Sequence, residues 1–225
     1  MSGFSKEWDQ IYDKSLQLNS WPWSDLVSLV FVNCKDIIMR RGSVFELGCG
    51  SGPNIHFFES LGVDFYGVEG SEVVVQNLYK KYPELKNKIT VGDFSNANCF
   101  MNVPDIDIII DRAAVTHNDL PAIKRTILNS FDKLKVGGYF IGIDWFSTKH
   151  SDFQLGVQGG DRYTRTNIKE GQFKGVGNVH FSDEEHMRSL FLGFDIISLE
   201  EKIINNYELQ NNHQLASWNI VARKR

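Results

Sequence analysis

The sequence predicts an α/β protein built on a doubly wound parallel sheet. Three observations carry this. Short β-type runs alternate with helical stretches between Ser43 and Trp145. A glycine cluster, "GCGSG", stands where the first strand hands over to the first helix of that series. The run "DIDIIID" is almost wholly apolar, as a central strand covered on both faces must be. Strict strand–helix alternation requires parallel strands joined by right-handed crossovers, so helices cover both sides of the sheet.

The elements follow in order. "SVFEL" is the first strand, and a helix from Pro53 to Leu61 opens just after the glycines. "VDFYGVEG" is the second strand, and "SEVVVQNLYKKY" a helix whose serine takes the N-cap. "KITVGD" and "DIDIIID" supply strands three and four. "LPAIKRTILNSFDKL" is amphipathic, with Ile123, Ile127, Leu128, Phe131 and Leu134 on one face. "GGYFIGIDW" is the fifth strand. The alternation then breaks: residues 146–181 are polar, glycine-rich and weakly periodic, and a connection this long is expected to be functional or disordered. Its aromatic residues favour an ordered cap. The helix "SDEEHMRSLFLGF" and two late strands, "FDIISLEEKI" and "QLASWNIVARK", complete the chain.

Composition narrows the class. A chain of 225 residues suits one sizeable domain, and 42% hydrophobic with 23% charged residues is the mix of a soluble globular protein. A net charge of −4 gives no electrostatic reason to bind nucleic acid or membrane. The three cysteines, Cys34, Cys49 and Cys99, lack CxxC spacing, which argues against both a disulfide framework and structural zinc. A polar N-terminus and the lack of any long apolar run point to the cytoplasm, without signal peptide or membrane span.

The glycine loop defines the expected ligand. In a parallel sheet the ligand crevice lies beyond the carboxyl ends of the strands. Gly48, Gly50 and Gly52 would let the backbone turn sharply and approach a ligand, although tight helix–strand packing would use the same residues. The spacing is GxGxG, not the GxGxxG of a pyrophosphate loop, and Glu46 precedes it. A carboxylate repels pyrophosphate but attracts an ammonium or sulfonium. No Walker lysine is present, so a nucleoside triphosphate is disfavoured. Glu69 ends strand two, where a carboxylate can take both ribose hydroxyls. Asp93 ends strand three and Phe94 follows it, a pair suited to an adenine amino group and ring.

In order, "ELGCGSG", "GVEGS", "VGDF", "DIIIDRA" and "LKVGGYFIGID" resemble the motifs of class I S-adenosylmethionine-dependent methyltransferases, over roughly residues 40–145. The resemblance implies a Rossmann-like seven-stranded doubly wound sheet, with an N-terminal helical segment and an insertion after strand five forming a cap. It implies S-adenosyl-L-methionine as cofactor, with S-adenosyl-L-homocysteine as product. Glu46, Gly48, Cys49, Gly50, Gly52 and Asn54 would hold the methionine end. Glu69 and Gly70 would hold the ribose and Asp93 and Phe94 the adenine; Asp111 and Arg112 are further expected cofactor contacts, Asp111 ending strand four, where this fold positions residues between cofactor and acceptor. In related enzymes the segment before the first strand folds over the cofactor, and Trp8, Tyr12 and Trp21 stand where they could do so. The expected organisation is one domain over 1–225, with residues 1–40 as lid segment and 146–181 as substrate cap.

On the substrate side, "DRAA" replaces the (N/D)PP(F/Y) motif of many nucleobase amino-methyltransferases and looks more like a small-molecule branch that includes thiopurine and tellurite-type enzymes. A sulfonium methyl is already activated, so alignment of acceptor, methyl and sulfur dominates. A hydroxyl acceptor also needs a base. Candidates are His117 after strand four, Asp144 at the end of strand five, and His150, Asp152 and His180 in the insertion. Asp144, His150 and Asp152 could ligate a metal, but their spacing matches no metal motif and none is expected. Arg162, Arg165 and Lys169 could pair with a phosphate or carboxylate on the acceptor.

The leading reading is therefore O-methylation of a small polar acceptor, a sugar or nucleotide sugar, by a monomer or homodimer. The alternatives are N- or S-methylation of another small molecule and a non-catalytic S-adenosylmethionine-binding module. A nicotinamide-dependent oxidoreductase is weakened by the glycine spacing and by Glu46.

Overall fold

The computed structural model describes residues 20–208 and 213–225. Trp8 and Tyr12, placed over the cofactor by the resemblance, lie outside the described residues. Two helices lead in, α1 (Ser24–Asn33) and α2 (Lys35–Met39). Then come β1 (Ser43–Leu47), α3 (Ile55–Ser60), β2 (Asp64–Glu69), α4 (Glu72–Lys81), β3 (Ile89–Val91), β4 (Ile106–Arg112), α5 (Leu120–Lys133) and β5 (Leu134–Phe146). After the insertion, α6 (Glu184–Leu190), β9 (Phe194–Asn205) and β10 (Gln214–Lys224) complete the sheet. Its seven strands run in the order β3-β2-β1-β4-β5-β10-β9, the first five parallel and β10 antiparallel to both neighbours.

Alternation along each strand builds two cores. Phe45, Ile109 and Phe140 pack on one face, with Ile123 and Ile127 of α5 and Met187 and Leu190 of α6. Val44, Ile108, Ile110 and Ile141 point the other way, against Leu26 and Val30 of α1, Phe58 of α3 and Leu78 of α4. This is the double winding expected from strands that are apolar on both faces. Two local expectations fail. Leu128 is 60% exposed because it lies off the stripe that α5 presents to the sheet. Ser71 sits at the N-cap of α4, but its side chain caps nothing; its amide donates to Glu69 instead. Cys34, Cys49 and Cys99 are all free and buried. Among the described residues no helix is long and apolar enough to cross a membrane.

The insertion is ordered. Its strands β6 (Val157–Gln158), β7 (Thr164–Thr166) and β8 (Val179–His180) form a small antiparallel sheet. Phe146, Ile168, Phe173, Val179 and Phe181 give it a core of its own. It is tied to α6 by a directional chain of hydrogen bonds. Thr164 Oγ1 donates to Asp161 Oδ2 at 2.7 Å, so it accepts from His180 Nδ1 at 2.9 Å. His180 Nε2 must then accept from His186 Nε2, 2.9 Å away. Tyr163 stacks on His186 with ring centroids 3.8 Å apart.

Burial holds both imidazoles well below the ordinary histidine range, His186 at about 4. The folded state resists their protonation, whereas an unfolded chain takes up protons below about pH 6.5. The stability they support is therefore complete above that pH and drains away as pH falls toward about 4. His186→Gln should lessen the drop in thermal unfolding midpoint between pH 7 and pH 4.5. An unchanged drop would remove the pair as its source.

Candidate functional site

A cavity of about 810 Å³ opens at the carboxyl ends of the parallel strands. Glu46 lies within β1, and the loop behind that strand forms the floor. Gly48, Gly50 and Gly52 all adopt left-handed backbone, with φ of 65°, 51° and 75°. Their uses differ. A Cβ on Gly48 would lie 2.5 Å from Ala114 Cβ, so this glycine brings the β1 loop against the loop after β4. A Cβ on Gly52 would strike Ile55 and Leu78, and Gly52 does not line the cavity. That glycine serves helix packing, not the ligand.

Three carboxylates sit beneath or within the cavity, each buried, and each handles its burial differently. Glu69 Oε2 accepts from the Gly50 amide at 2.9 Å and Oε1 from the Ser71 amide at 3.0 Å. Asp111 accepts from the Val115 amide at 3.1 Å and from Trp145 Nε1 at 2.7 Å. Asp111 is fully buried and does not line the main cavity. It fixes the turn after β4 from below.

Glu46 is the exception. Oε1 accepts from Asn54 Nδ2 at 2.7 Å, while Oε2 and Asn54 Oδ1 are buried with no hydrogen-bond partner among the described residues. Burial pushes the Glu46 carboxyl up to about 8; the Asn54 bond opposes this, and the charges of Asp111 and Glu69 add to it. Two orphaned oxygens side by side on an anionic floor make a receptor for a cationic hydrogen-bond donor. The ammonium of an amino acid moiety meets that description. Gly70, Asp93 and Phe94 line the cavity farther along the strand ends, and Asp93 Oδ1 accepts the Ser95 amide at 2.8 Å. Cys49 also lines the floor, its thiol raised well above the ordinary value by burial.

One wall is an ionic mesh. Arg112 Nη2 lies 3.0 Å from Asp144 Oδ2, and its guanidinium sits 3.5 Å from the centre of the Trp23 ring. Lys202 bridges Asp144 Oδ1 and Asp25 Oδ2, and Asn219 Nδ2 donates to Asp25 at 3.0 Å. Both oxygens of Asp144, a candidate base, are thus engaged by cations. Its backbone is left-handed at φ 56°, held by a 3.1 Å bond from its amide to Asn219 Oδ1. Sequence reasoning missed Trp23, Asp25 and Lys202. "WPW" contained the signal, yet the tryptophan singled out, Trp21, is 72% exposed and does not line the cavity.

The opposite wall comes from the loop after β4 and from the insertion. His117, Phe146, His150 and Phe173 form an aromatic cluster, with Phe146 and Phe173 centroids 4.3 Å apart and His117 5.4 Å from Phe146. Burial lowers His117 to about 4, against a hydrogen bond to the Asn178 backbone. His150 Nδ1 accepts the Asp152 amide at 3.1 Å, which leaves the proton on Nε2, facing Gln172 Oε1 at 3.3 Å. His180 is absent from the cavity; it lies behind β8 in the chain to His186. Arg162, Arg165 and Lys169 do not line it either. Arg162 pairs with Asp183, and Arg165 donates to the Phe153 carbonyl and covers that ring. The lysines that do reach the cavity are Lys174 and Lys202.

Comparisons with known proteins agree on fold and class. Residues 45–142 match a family model described as a methyltransferase domain. A search of curated proteins finds no match. Among solved structures, a SAM-dependent methyltransferase from Anabaena variabilis is similar at 17% identity and TM-score 0.64, over 100% of this chain and 98% of that one. TehB from Haemophilus influenzae is similar at 16% identity and TM-score 0.63, over 97% of this chain and 67% of that one. SAM-bound CalS10 from Micromonospora echinaspora, an amino pentose methyltransferase involved in calicheamicin biosynthesis, is similar at 14% identity and TM-score 0.60, over 95% and 97% of the two chains. The sheet and the matched segment define a class I methyltransferase fold. Residues 45–142 form a methyltransferase domain, and the fold around them is the one that S-adenosylmethionine-dependent methyltransferases share.

The orphaned oxygens lead to a test. At pH 7 the raised carboxyl of Glu46 carries its proton in the free protein, and a cation docking there would expel it. Calorimetry in two buffers of different ionisation enthalpy should show proton release on S-adenosylmethionine binding. Glu46→Gln should abolish that release and weaken binding about 10- to 100-fold, the value of one charged hydrogen bond of ~1.5–3 kcal/mol. Equal release from both proteins would exclude Glu46 as the partner.

Proposed function

We propose that this enzyme transfers the methyl group to a hydroxyl of a small, ring-shaped polar acceptor of the sugar type, with His117 as general base. The observation that carries the reading is the position and state of His117. It lies in the turn after β4, on the cavity wall, and burial keeps it unprotonated at neutral pH. Bound S-adenosylmethionine supplies a methyl on a cationic sulfur, so the protein's remaining tasks are alignment, exclusion of water and acceptance of one proton.

The chain's residues divide between those tasks. Glu46 and Asn54 receive the amino acid end, Glu69 the ribose, and Asp93 with Phe94 the base. Phe146 and Phe173 offer faces against which the apolar side of a sugar ring packs, and Gln172 offers an amide to a hydroxyl. Residues 146–181 act as the substrate cap and the stretch before β1 as lid, which keeps water from the methyl donor. A phosphate on the acceptor would be met by Lys174, because Arg162, Arg165 and Lys169 lie elsewhere. Similarity to a methyltransferase described as acting on an amino pentose supports the sugar-type acceptor by analogy.

His117→Gln should lower kcat by about 10²- to 10⁴-fold while leaving S-adenosylmethionine affinity within about 2-fold. The wild-type rate should fall with acid only as pH passes through about 4, the point at which His117 takes up a proton. Turnover assayed across a panel of sugars and nucleotide sugars decides the matter; full activity in the variant would overturn the assignment.

A further inference from the structure

Asp152 occupies a short turn, Ser151–Gln154, just beyond β5, and is completely buried. Its Oδ2 accepts the Phe173 amide at 3.0 Å and its Oδ1 lies 2.8 Å from His213 Nε2. Gly171 makes room for it: at φ 79°, a Cβ there would lie 2.5 Å from Asp152 Oδ1. Among the described residues no lysine or arginine pairs with this carboxylate; the ionisable partners it meets are the imidazoles of His150 and His213. A buried carboxylate is costly unless positive charge compensates it.

His150 Nδ1 lies 4.0 Å from Asp152 Oδ1, and one donor atom from each of the three residues falls within 4.8 Å of the others. Tetrahedral coordination with bonds of ~2.0–2.1 Å sets ligand atoms about 3.3 Å apart. The observed separations of 2.8 Å and 4.0 Å bracket that distance. We infer that His150, Asp152 and His213 form a binding site for a divalent transition-metal ion of the zinc type. Two imidazoles and one carboxylate suit zinc, iron or cobalt; magnesium and calcium favour oxygen ligands throughout. The ion replaces the proton between His213 and Asp152, and takes the His150 lone pair now used by the Asp152 amide.

Its location gives it a purpose. His150 and Phe173 line the cavity, whereas His213 stands at the entrance to β10. The ion would fasten the turn after β5, the Phe173 loop and the closing hairpin into one wall of the acceptor region. Local spacing could not reveal the site, because its third ligand is 61 residues from Asp152.

The test uses tag-free protein stripped with a chelator and then titrated with Co²⁺. One equivalent should bind, with visible absorption of a nitrogen- and oxygen-ligated ion that Zn²⁺ displaces, and Zn²⁺ should raise the thermal unfolding midpoint. His213→Gln and Asp152→Asn should each weaken Zn²⁺ binding at least ~10-fold. The partly exposed His213 keeps the test available should the Asp152 variant fail to fold. Sub-stoichiometric Co²⁺, or His213→Gln binding like the wild type, would show that the three residues are an ion pair and a neighbour, and overturn the site. None of these readouts depends on turnover, so the result stands apart from the choice of acceptor.

Discussion

Everything in the site answers to one constraint: three buried carboxylates crowd the carboxyl ends of neighbouring strands. Glu69 and Asp111 each accept two N–H groups, although burial still pushes the Asp111 carboxyl up to about 7 against those bonds. Glu46 receives one such bond and keeps an oxygen without a partner among the described residues, while the other two carboxylates push against its ionisation. The free protein resolves the conflict with a proton. A cationic ligand resolves it better, because it satisfies the orphaned oxygen and neutralises the repulsion at the same time. The floor is thus selective for charge before any shape is considered, and a pyrophosphate would meet an unfavourable field there.

The same logic explains the wall opposite the aromatic cluster. Arg112 and Lys202 would be two bare cations beside the cationic ligand were they not engaged by Asp144 and Asp25. The mesh ties α1 to the ends of β4, β5 and β9, so the leading helix is fastened to the cavity rim by charge as well as by Leu26 and Val30. Asp144 adopts left-handed backbone without being glycine, at a cost of order 1–2 kcal/mol, and the surrounding bonds hold it there. That strain lets one carboxylate reach Arg112 and Lys202 at once. Its role is to organise cations, which leaves it ill suited to receive a proton from the acceptor.

What could be read from the sequence was whatever depends on strand ends. Glu46, Glu69, Asp93, Gly48 and Gly50 are legible from local order in the chain, because the ends of parallel strands and the loops that leave them face the crevice. Gly52 was ambiguous for a physical reason: helix packing and ligand approach both demand a missing Cβ, and only coordinates separate them. The Lys202 and Asn219 links of the ionic mesh and the His213 contact were hidden because they join residues 58 to 194 positions apart through the closing hairpin. The insertion misled in the opposite sense. Its charged residues suggested a receptor for anions, yet Arg162 and Arg165 are used by near neighbours to hold the small sheet together.

The proposed choice of base rests on how each of the two histidines on the cavity wall is held. A general base needs a free lone pair directed at the acceptor. In His150 the backbone amide of Asp152 takes Nδ1 and so leaves Nε2 as a donor toward Gln172; a metal ion at Asp152 would occupy the ring just as fully. Either state makes His150 part of the wall that positions the acceptor. His117 is held differently, by a hydrogen bond to the Asn178 backbone. It sits where β4 ends and the loop faces the crevice, neutral through burial and braced by Phe146 and Phe173. A base held this low gains its proton only late, as the new bond to carbon forms and the acceptor oxygen becomes acidic. That is the timing methyl transfer from a sulfonium permits, because the leaving group departs without needing a proton of its own.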